Sequence, residues 1–481
     1  MAESLKEKTA KGLFWGALNS GTTQLLNLVI GIFLGRLISP AEYGIVGVLN
    51  IFTLIAGNLQ SSGFSQGLIN LKSPQARDYN SVFWFNILAG FVLYVVLFAS
   101  APLIASYFRQ PCLVPLSRLV FLSFVISSFG IAHGAYMTKN MMNREIAIIG
   151  AIALVCSGSI AIVLAFLGFS YWSLAWQQIV YIAVLNLGRY WFTPWHPSFH
   201  FTFEPVKRMF GFSVKVLITN IINTVSNNIL TLVFGRLYPI KAVGDFTQAY
   251  KWDSMANSFV ANAIGQVAQP VLASVHEERG RAVRVFRKMM RFTAFISFPL
   301  LFGLALVAKE FIVLALTEKW LVSVPLLQIL CISGAVMPLC TLLSNMILSK
   351  GRSNIFFGCT FCLGVVQIVL MLAIWPLGIR TMVMTYTALN LLWLFVWHVF
   401  TRRLTGYTLL SFLSDILPFA LSALGVMVLT GLLTRSISSL ILLLTARILL
   451  SALLYYVVMR LARVKILDEC TSFVLQKIRK R

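Results

Sequence analysis

Asn220–Asp253 reads NIINTVSNNILTLVFGRLYPIKAVGDFTQAYKWD, and it rewrites a pattern already present near the amino terminus. Shifted back by 200 positions, Gly235-Arg236-Leu237 falls on Gly35-Arg36-Leu37, Gly244 on Gly44 and Asn227 on Asn27. In both places the tripeptide closes a long apolar segment and the glycine opens the next. The shared position within each half, more than the shared letters, marks an internal duplication.

Around this stretch the chain is 58% hydrophobic and 11% charged, with a mean hydropathy of +0.85. So much apolar surface cannot be hidden in a soluble core, and apolar runs of roughly 20 residues recur along the whole length, each long enough to cross ~30 Å of hydrocarbon. Windows of that size, punctuated by Gly, Pro and charge, give about fourteen transmembrane helices, from 13–35 to 438–460. The runs are continuous and do not alternate with period two, so the expected fold is an all-α polytopic membrane protein and not a barrel. Six helices per copy makes both copies enter from the same side, as a parallel repeat. The expected division is a first six-helix bundle over 1–200, a second over 201–403, an additional helix pair over 404–461 and a basic tail over 462–481.

The net charge of +24 comes from 39 Lys and Arg against 15 Asp and Glu. These cations are dealt out between apolar runs and are not gathered on one soluble face, which argues against a nucleic-acid partner. If the amino terminus is cytoplasmic, the inside links hold Lys6, Lys8 and Lys11, the Arg279–Arg291 cluster and the tail from Arg460 to Arg481, whereas the outside links hold isolated cations such as Arg36, Arg109 and Arg236. That asymmetry follows the positive-inside rule with both termini in the cytoplasm. The link 193–210, containing WHPSFHFTFEP, stands where the duplication restarts. The basic segment from His276 to Phe292 reads as an interfacial helix with Val283, Phe286 and Met290 toward acyl chains. Seven cysteines follow no even framework, and Cys359-x-x-Cys362 sits inside an apolar run, which favours helix packing over disulfide or redox chemistry.

Polar side chains inside spans are costly, so their pattern is the most informative feature left. Asn19, Thr23 and Asn27 form an i, i+4, i+8 stripe on the first helix, and Asn220, Asn223 and Asn227, with Lys215, repeat the theme on the seventh. The second and eighth helices add Asn50, Asn58 and Gln60, then Lys251, Asp253, Asn257 and Asn262. The alternative to a wet cavity is that such amides hydrogen-bond neighbouring helices as glue. Lys251, Arg36 and Arg236 toward the outer rim, and Lys215 and Arg189 toward the inner side, suit a phosphate-bearing ligand through charge-assisted hydrogen bonds. Topology signalling or snorkelling is the competing account of each. Asp253 reads as the only acid deep within a span and is the candidate coupling site for a proton or cation. Arg447 lies too far in depth from Asp415 for a direct pair. The outward acids Glu42, Asp245, Glu310 and Glu318 are scattered, the five histidines lack metal-ligand spacing, and no P-loop is present, so an enzyme, a metal centre and a cofactor are not expected.

The segments GLFWGALNS, LGRLISPAEYGIVGVLNIF, GFSQGLINLK and SVFWFNILAG, followed by GFSYWSLAWQQ, Pro270, Glu318-Lys319-Trp320 and SKGRSN, resemble the Wzx/WzxC-type polysaccharide flippases of the multidrug/oligosaccharidyl-lipid/polysaccharide superfamily. The resemblance covers about residues 10–400. It implies a flippase that moves undecaprenyl-diphosphate-linked oligosaccharide repeat units across the bacterial inner membrane for capsule, exopolysaccharide or O-antigen assembly. Membrane lipids, a polysaccharide polymerase and assembly proteins are the partners it implies. Two other classes compete: a cation-coupled multidrug-type antiporter, which predicts acids in the cavity, and a non-transporting scaffold, which leaves the polar stripes unexplained. The family carries no catalytic motif, so the site residues rest on the polar pattern alone.

Overall fold

A computed structural model describes residues 5–61, 64–71, 73–199, 201–207, 210, 220, 224, 228–274, 279–464 and 466–467. Fifteen α-helices run through them: α1 Leu5–Leu37, α2 Pro40–Ser61, α3 Phe64–Asn70, α4 Ala76–Phe108, α5 Leu113–Lys139, α6 Asn143–Phe166, α7 Trp172–Phe192, α8 Ile229–Leu237, α9 Ile240–Ser274, α10 Arg279–Leu316, α11 Ser323–Ser349, α12 Ser353–Ile374, α13 Ile379–Thr405, α14 Leu409–Leu433 and α15 Leu440–Leu461. The expected all-α polytopic membrane fold is the one observed. Among the described residues nine helices are long and apolar enough to cross a membrane. The other expected spans fall on α1, α2, α7 and α9, which carry the Asn19–Asn27 stripe, Asn50, Gln177, Gln178, Lys251 and Asp253, and on 211–234, most of which lies outside the described residues.

Local chemistry sets the helix ends. Ser39-Pro40-Ala41-Glu42 is a capping box with proline at the first helical position. The Ser39 amide donates to Glu42 Oε2 at 2.6 Å and the Glu42 amide to Ser39 Oγ at 3.4 Å. Ser170 Oγ also donates to Glu42, so this acid belongs to a helix start. Asp78 does the same for α4, accepting from the Gln75 amide at 2.8 Å. Gly406, at φ 76°, ends α13 in the left-handed conformation, its amide returning to the Arg402 carbonyl.

The chain forms two compact units, one of Met1–Thr247 with Thr360–Trp375 and the other of Gln248–Cys359 with Pro376–Arg481. In the first, α2 crosses the beginning of α9 in a contact that obeys the 200-residue shift. A side-chain carbon on Gly44 would fall on the Ile240 carbonyl oxygen and 3.1 Å from the Gly244 nitrogen; one on Gly244 would fall on the Pro40 carbonyl oxygen and 3.0 Å from the Gly44 nitrogen. One turn on, a carbon on Gly47 would come within 2.7 Å of Thr247 Oγ1. Position 40 meets 244, 44 meets 240 and 244, and 47 meets 247, which is a local two-fold relation between the two aligned stretches. Only glycine allows the backbones this close.

The second unit is tied by charge. Asp415, fully buried near the start of α14, accepts from Arg287 Nε at 2.8 Å, Arg287 Nη2 at 3.0 Å, Arg291 Nε at 2.5 Å and the Tyr407 hydroxyl at 2.8 Å. Burial, then donation to Asp415, holds the Tyr407 hydroxyl above its ordinary pKa, so it stays a donor. Phe286 packs edge-on against the Tyr407 ring, and Phe286 and Met290 are buried within the protein. This corrects the expectation that they dip into acyl chains: the buried carboxylate draws this face of α10 inward. Further along α10, Glu310 Oε1 meets Arg447 Nη1 of α15 at 2.8 Å, and Arg447 also donates to the Leu306 carbonyl at 3.1 Å and to Thr434 Oγ1 at 3.3 Å. Glu310, expected in an outer link, is a buried helical residue, so Asp253 is not the only acid buried in a long helix. Tyr455 of α15 donates to the Phe295 carbonyl at 3.1 Å.

Candidate functional site

In the first unit a cavity of about 330 Å³ lies between α1, α6 and α7, lined by Thr23, Asn27, Leu154, Ser157, Leu174, Gln177, Gln178 and Tyr181. Thr23 and Asn27 are one turn apart and share a face of α1, and Gln178 and Tyr181 are an i, i+3 pair on α7. Ser157 Oγ turns back to the Leu154 carbonyl at 3.2 Å. Close packing beside the cavity comes from Gly158, where a side-chain carbon would strike Ile30 of α1. The lining offers amides and hydroxyls, donors and acceptors in roughly equal measure and without net charge. Such a surface suits a ligand that is itself rich in hydroxyls.

The expected cations are placed separately. Arg189 is not among the lining residues: its Nη1 donates to the Gly130 carbonyl at 3.4 Å, and its guanidinium lies against Gly134 of α5. Arg36 is exposed at the end of α1. Arg236, exposed at the end of α8, donates to the Tyr107 carbonyl at 2.7 Å with its guanidinium 5.2 Å from the centre of the Tyr107 ring. Lys215, Asn223 and Asn227 lie outside the described residues.

In the second unit Lys251 is half-buried on α9, its ammonium 5.4 Å from the Trp252 ring centre. Asp253, 5% exposed, turns toward α11, where its carboxylate occupies the space that a side chain at Gly334 would need. Its Oδ1 has no hydrogen-bond partner, and both polar atoms of the buried Gln248 side chain are likewise unmatched. A buried carboxyl oxygen without a donor is a desolvated polar atom left unmatched.

Sequence reasoning found Asn27 and Thr23 but missed their partners. Gln177 and Gln178 stand as adjacent amides in the first half of a mostly apolar helix, and that was the signal available. Ser157 and Tyr181 carried none, because a single hydroxyl in an apolar run is common.

Residues 33–325 match the family model described as polysaccharide biosynthesis protein. The chain is 26% identical over 360 residues to the lipopolysaccharide biosynthesis protein WzxC of Escherichia coli (strain K12), covering 74% of this chain and 72% of that one. It is 26% identical over 357 residues to the teichuronic acid biosynthesis protein TuaB of Bacillus subtilis (strain 168), covering 74% of each. Against the succinoglycan biosynthesis transport protein ExoT of Rhizobium meliloti (strain 1021) the identity is 24% over 430 residues, 87% of this chain and 83% of that one. Among solved structures, the inward closed conformation of the lipid II flippase MurJ matches with a TM-score of 0.79 at 13% identity, covering 94% of this chain and 99% of that one. An inward-facing multidrug resistance MATE family transporter of the MOP superfamily matches with a TM-score of 0.66 at 18% identity, over 80% and 95%. These two likenesses establish the fold, and the match over more than half of the sequence establishes that the chain belongs to the polysaccharide biosynthesis protein family.

Proposed function

We propose that this protein is a flippase for undecaprenyl-diphosphate-linked oligosaccharide repeat units, working by alternating access in the bacterial inner membrane with both termini in the cytoplasm. It is a transporter and not an enzyme. The observation that carries this reading is the uncharged amide and hydroxyl cavity of α1, α6 and α7, set in an apolar helical body of this family. Thr23, Asn27, Gln177 and Gln178 hydrogen-bond the sugar hydroxyls. Arg36, Arg236, Lys251, Lys215 and Arg189 supply positive charge for the diphosphate along its route, and Asn223 and Asn227 continue the polar lining in the second copy. The prenyl tail stays in lipid throughout. Asp253 takes up and releases the coupling proton or cation. The basic links, expected on the cytoplasmic side, support the orientation.

Proteoliposomes carrying a fluorescent lipid-linked oligosaccharide test the proposal. Accessibility of the label to an impermeant quencher should change with wild-type protein, and N27A with Q177A should slow that change by about tenfold, as for the loss of one or two hydrogen bonds to the cargo. No translocation by the wild type sinks the function; unchanged translocation in the variant sinks the cavity assignment. A second reading, a cation-coupled multidrug-type antiporter, draws on the buried acid Asp253 and predicts that the same vesicles move an organic cation, with loss of that flux in D253N.

A further inference from the structure

The link that follows α7 is fastened down at Trp195, Ser198 and Thr202. The Trp195 ring lies 5.0 Å from the His133 ring and 5.7 Å from Tyr79, against a small core of Leu68, Tyr79, Val82 and Ala135. The Ser198 amide donates to Asn80 Oδ1 at 2.8 Å, the Ser198 carbonyl accepts from Trp84 Nε1 at 2.7 Å, and the Thr202 and Ser81 hydroxyls meet at 3.1 Å. Beside the anchored positions 198 and 202 stand three exposed phenylalanines. Phe199, Phe201 and Phe203 are 93%, 48% and 58% exposed. Phe199 also stacks on Trp84 at 5.6 Å, and Trp191, at the end of α7, is 85% exposed.

This aromatic comb has a definite depth. Its anchors, Asn80, Ser81 and Trp84, lie in the first three turns of α4, a spanning helix that begins at Ala76. Arg77 and Lys207, both exposed, flank it. The comb also continues the exposed apolar surface of α7 at Leu187, Tyr190 and Trp191. Aromatic rings with basic neighbours at the level where a helix enters the bilayer match the chemistry of the interface, where rings sit among headgroups and cations meet lipid phosphates.

We propose that residues 195–199 and 201–203 form an interfacial strap: Phe199, Phe201 and Phe203 insert at the headgroup–acyl boundary of the leaflet at the N-terminal end of α4, with Arg77 and Lys207 on anionic headgroups. The strap clips the ends of α4, α5 and α7 to one leaflet through Trp195, Ser198 and Thr202. The full-length protein is placed in nanodiscs of phosphatidylethanolamine and phosphatidylglycerol, with benzoylphenylalanine in place of Phe199, Phe201 or Phe203, and irradiated. Phospholipid adducts are expected at all three positions, while the same group in place of Thr202 should attach to α4. Absence of lipid adducts at the three phenylalanine positions, or adducts to a co-purified protein in their place, overturns the strap. The unsubstituted protein gives a second arm that misfolding cannot confound. In nanodiscs, chymotrypsin should fail to cut after Phe199 and Phe203 on the timescale on which it digests the unfolded chain. Rapid cleavage there also overturns the proposal.

Discussion

Two regions of this protein hold helices together by opposite means. In the first unit, α2 and the start of α9 meet through Gly44 and Gly244 with almost no side chain between them. In the second, α10 is fastened to α14 and α15 by Asp415 with Arg287 and Arg291, and by Glu310 with Arg447. Lipid is as apolar as the helix surfaces, so association in a membrane depends on close packing or on polar bonds. A packing contact is built of many weak dispersion terms and can shear in small steps. A buried ion pair has no such gradual path, because parting it leaves a desolvated charge behind. The first region is therefore suited to a moving joint and the second to a permanent seam.

The largest expected effect breaks the seam. D415A leaves Arg287, Arg291 and Tyr407 facing an empty position and should cost about 3 kcal/mol, the low end for a broken buried pair because both arginines keep partial access to solvent. Thermal unfolding in detergent would show it as a lowered midpoint, and a midpoint equal to wild type would mean that the cluster holds nothing together. Next comes the Glu310–Arg447 pair. R447M should destabilise by about 2 kcal/mol, and adding E310M should recover most of the loss, since removing both charges leaves no orphan. Failure of the double variant to recover would show that Arg447 acts through the Leu306 carbonyl and Thr434 instead of through Glu310.

The joint should respond differently. G44V and G244V each force the α2–α9 crossing apart, at about 1 to 2 kcal/mol for overpacking, yet they should impair translocation more than the seam variants do. Because each glycine is the other's neighbour, the double variant should cost clearly less than the sum of the singles. Strict additivity would contradict the two-fold contact. The smallest effect on stability belongs to G334A, about 1 kcal/mol, since the new methyl displaces only the Asp253 carboxylate. It sharpens the comparison if flux falls while the unfolding midpoint barely moves.

Several parts of this arrangement were legible in advance. The 200-residue shift was readable as letters, and the structure turned it into a contact between the very positions that align. The polar stripe of α1 was also visible, because amides at helical spacing stand out in an apolar run. Its cavity partners on α6 and α7 were not, since their role depends on which face of each helix turns toward α1. The partner of Arg447 was missed for a related reason. Hydropathy assigned Glu310 to a link, while α10 continues to Leu316 and buries it. Phe286 and Met290 were read from the amphipathic pattern as lipid-facing, and that pattern cannot distinguish lipid from a neighbouring helix that carries a buried carboxylate.

What the sequence settled by itself is what depends on local chemistry: that the chain is helical, that it lives in a membrane, and that a pattern near its amino terminus recurs 200 positions on. Hydropathy, capping and repetition are properties of neighbours along the chain. Tertiary structure alone decided which acid meets which arginine, which amides share a cavity and which phenylalanines are left facing outward. Those outcomes depend on the rotation and tilt of each helix, which only the packing of all the others determines.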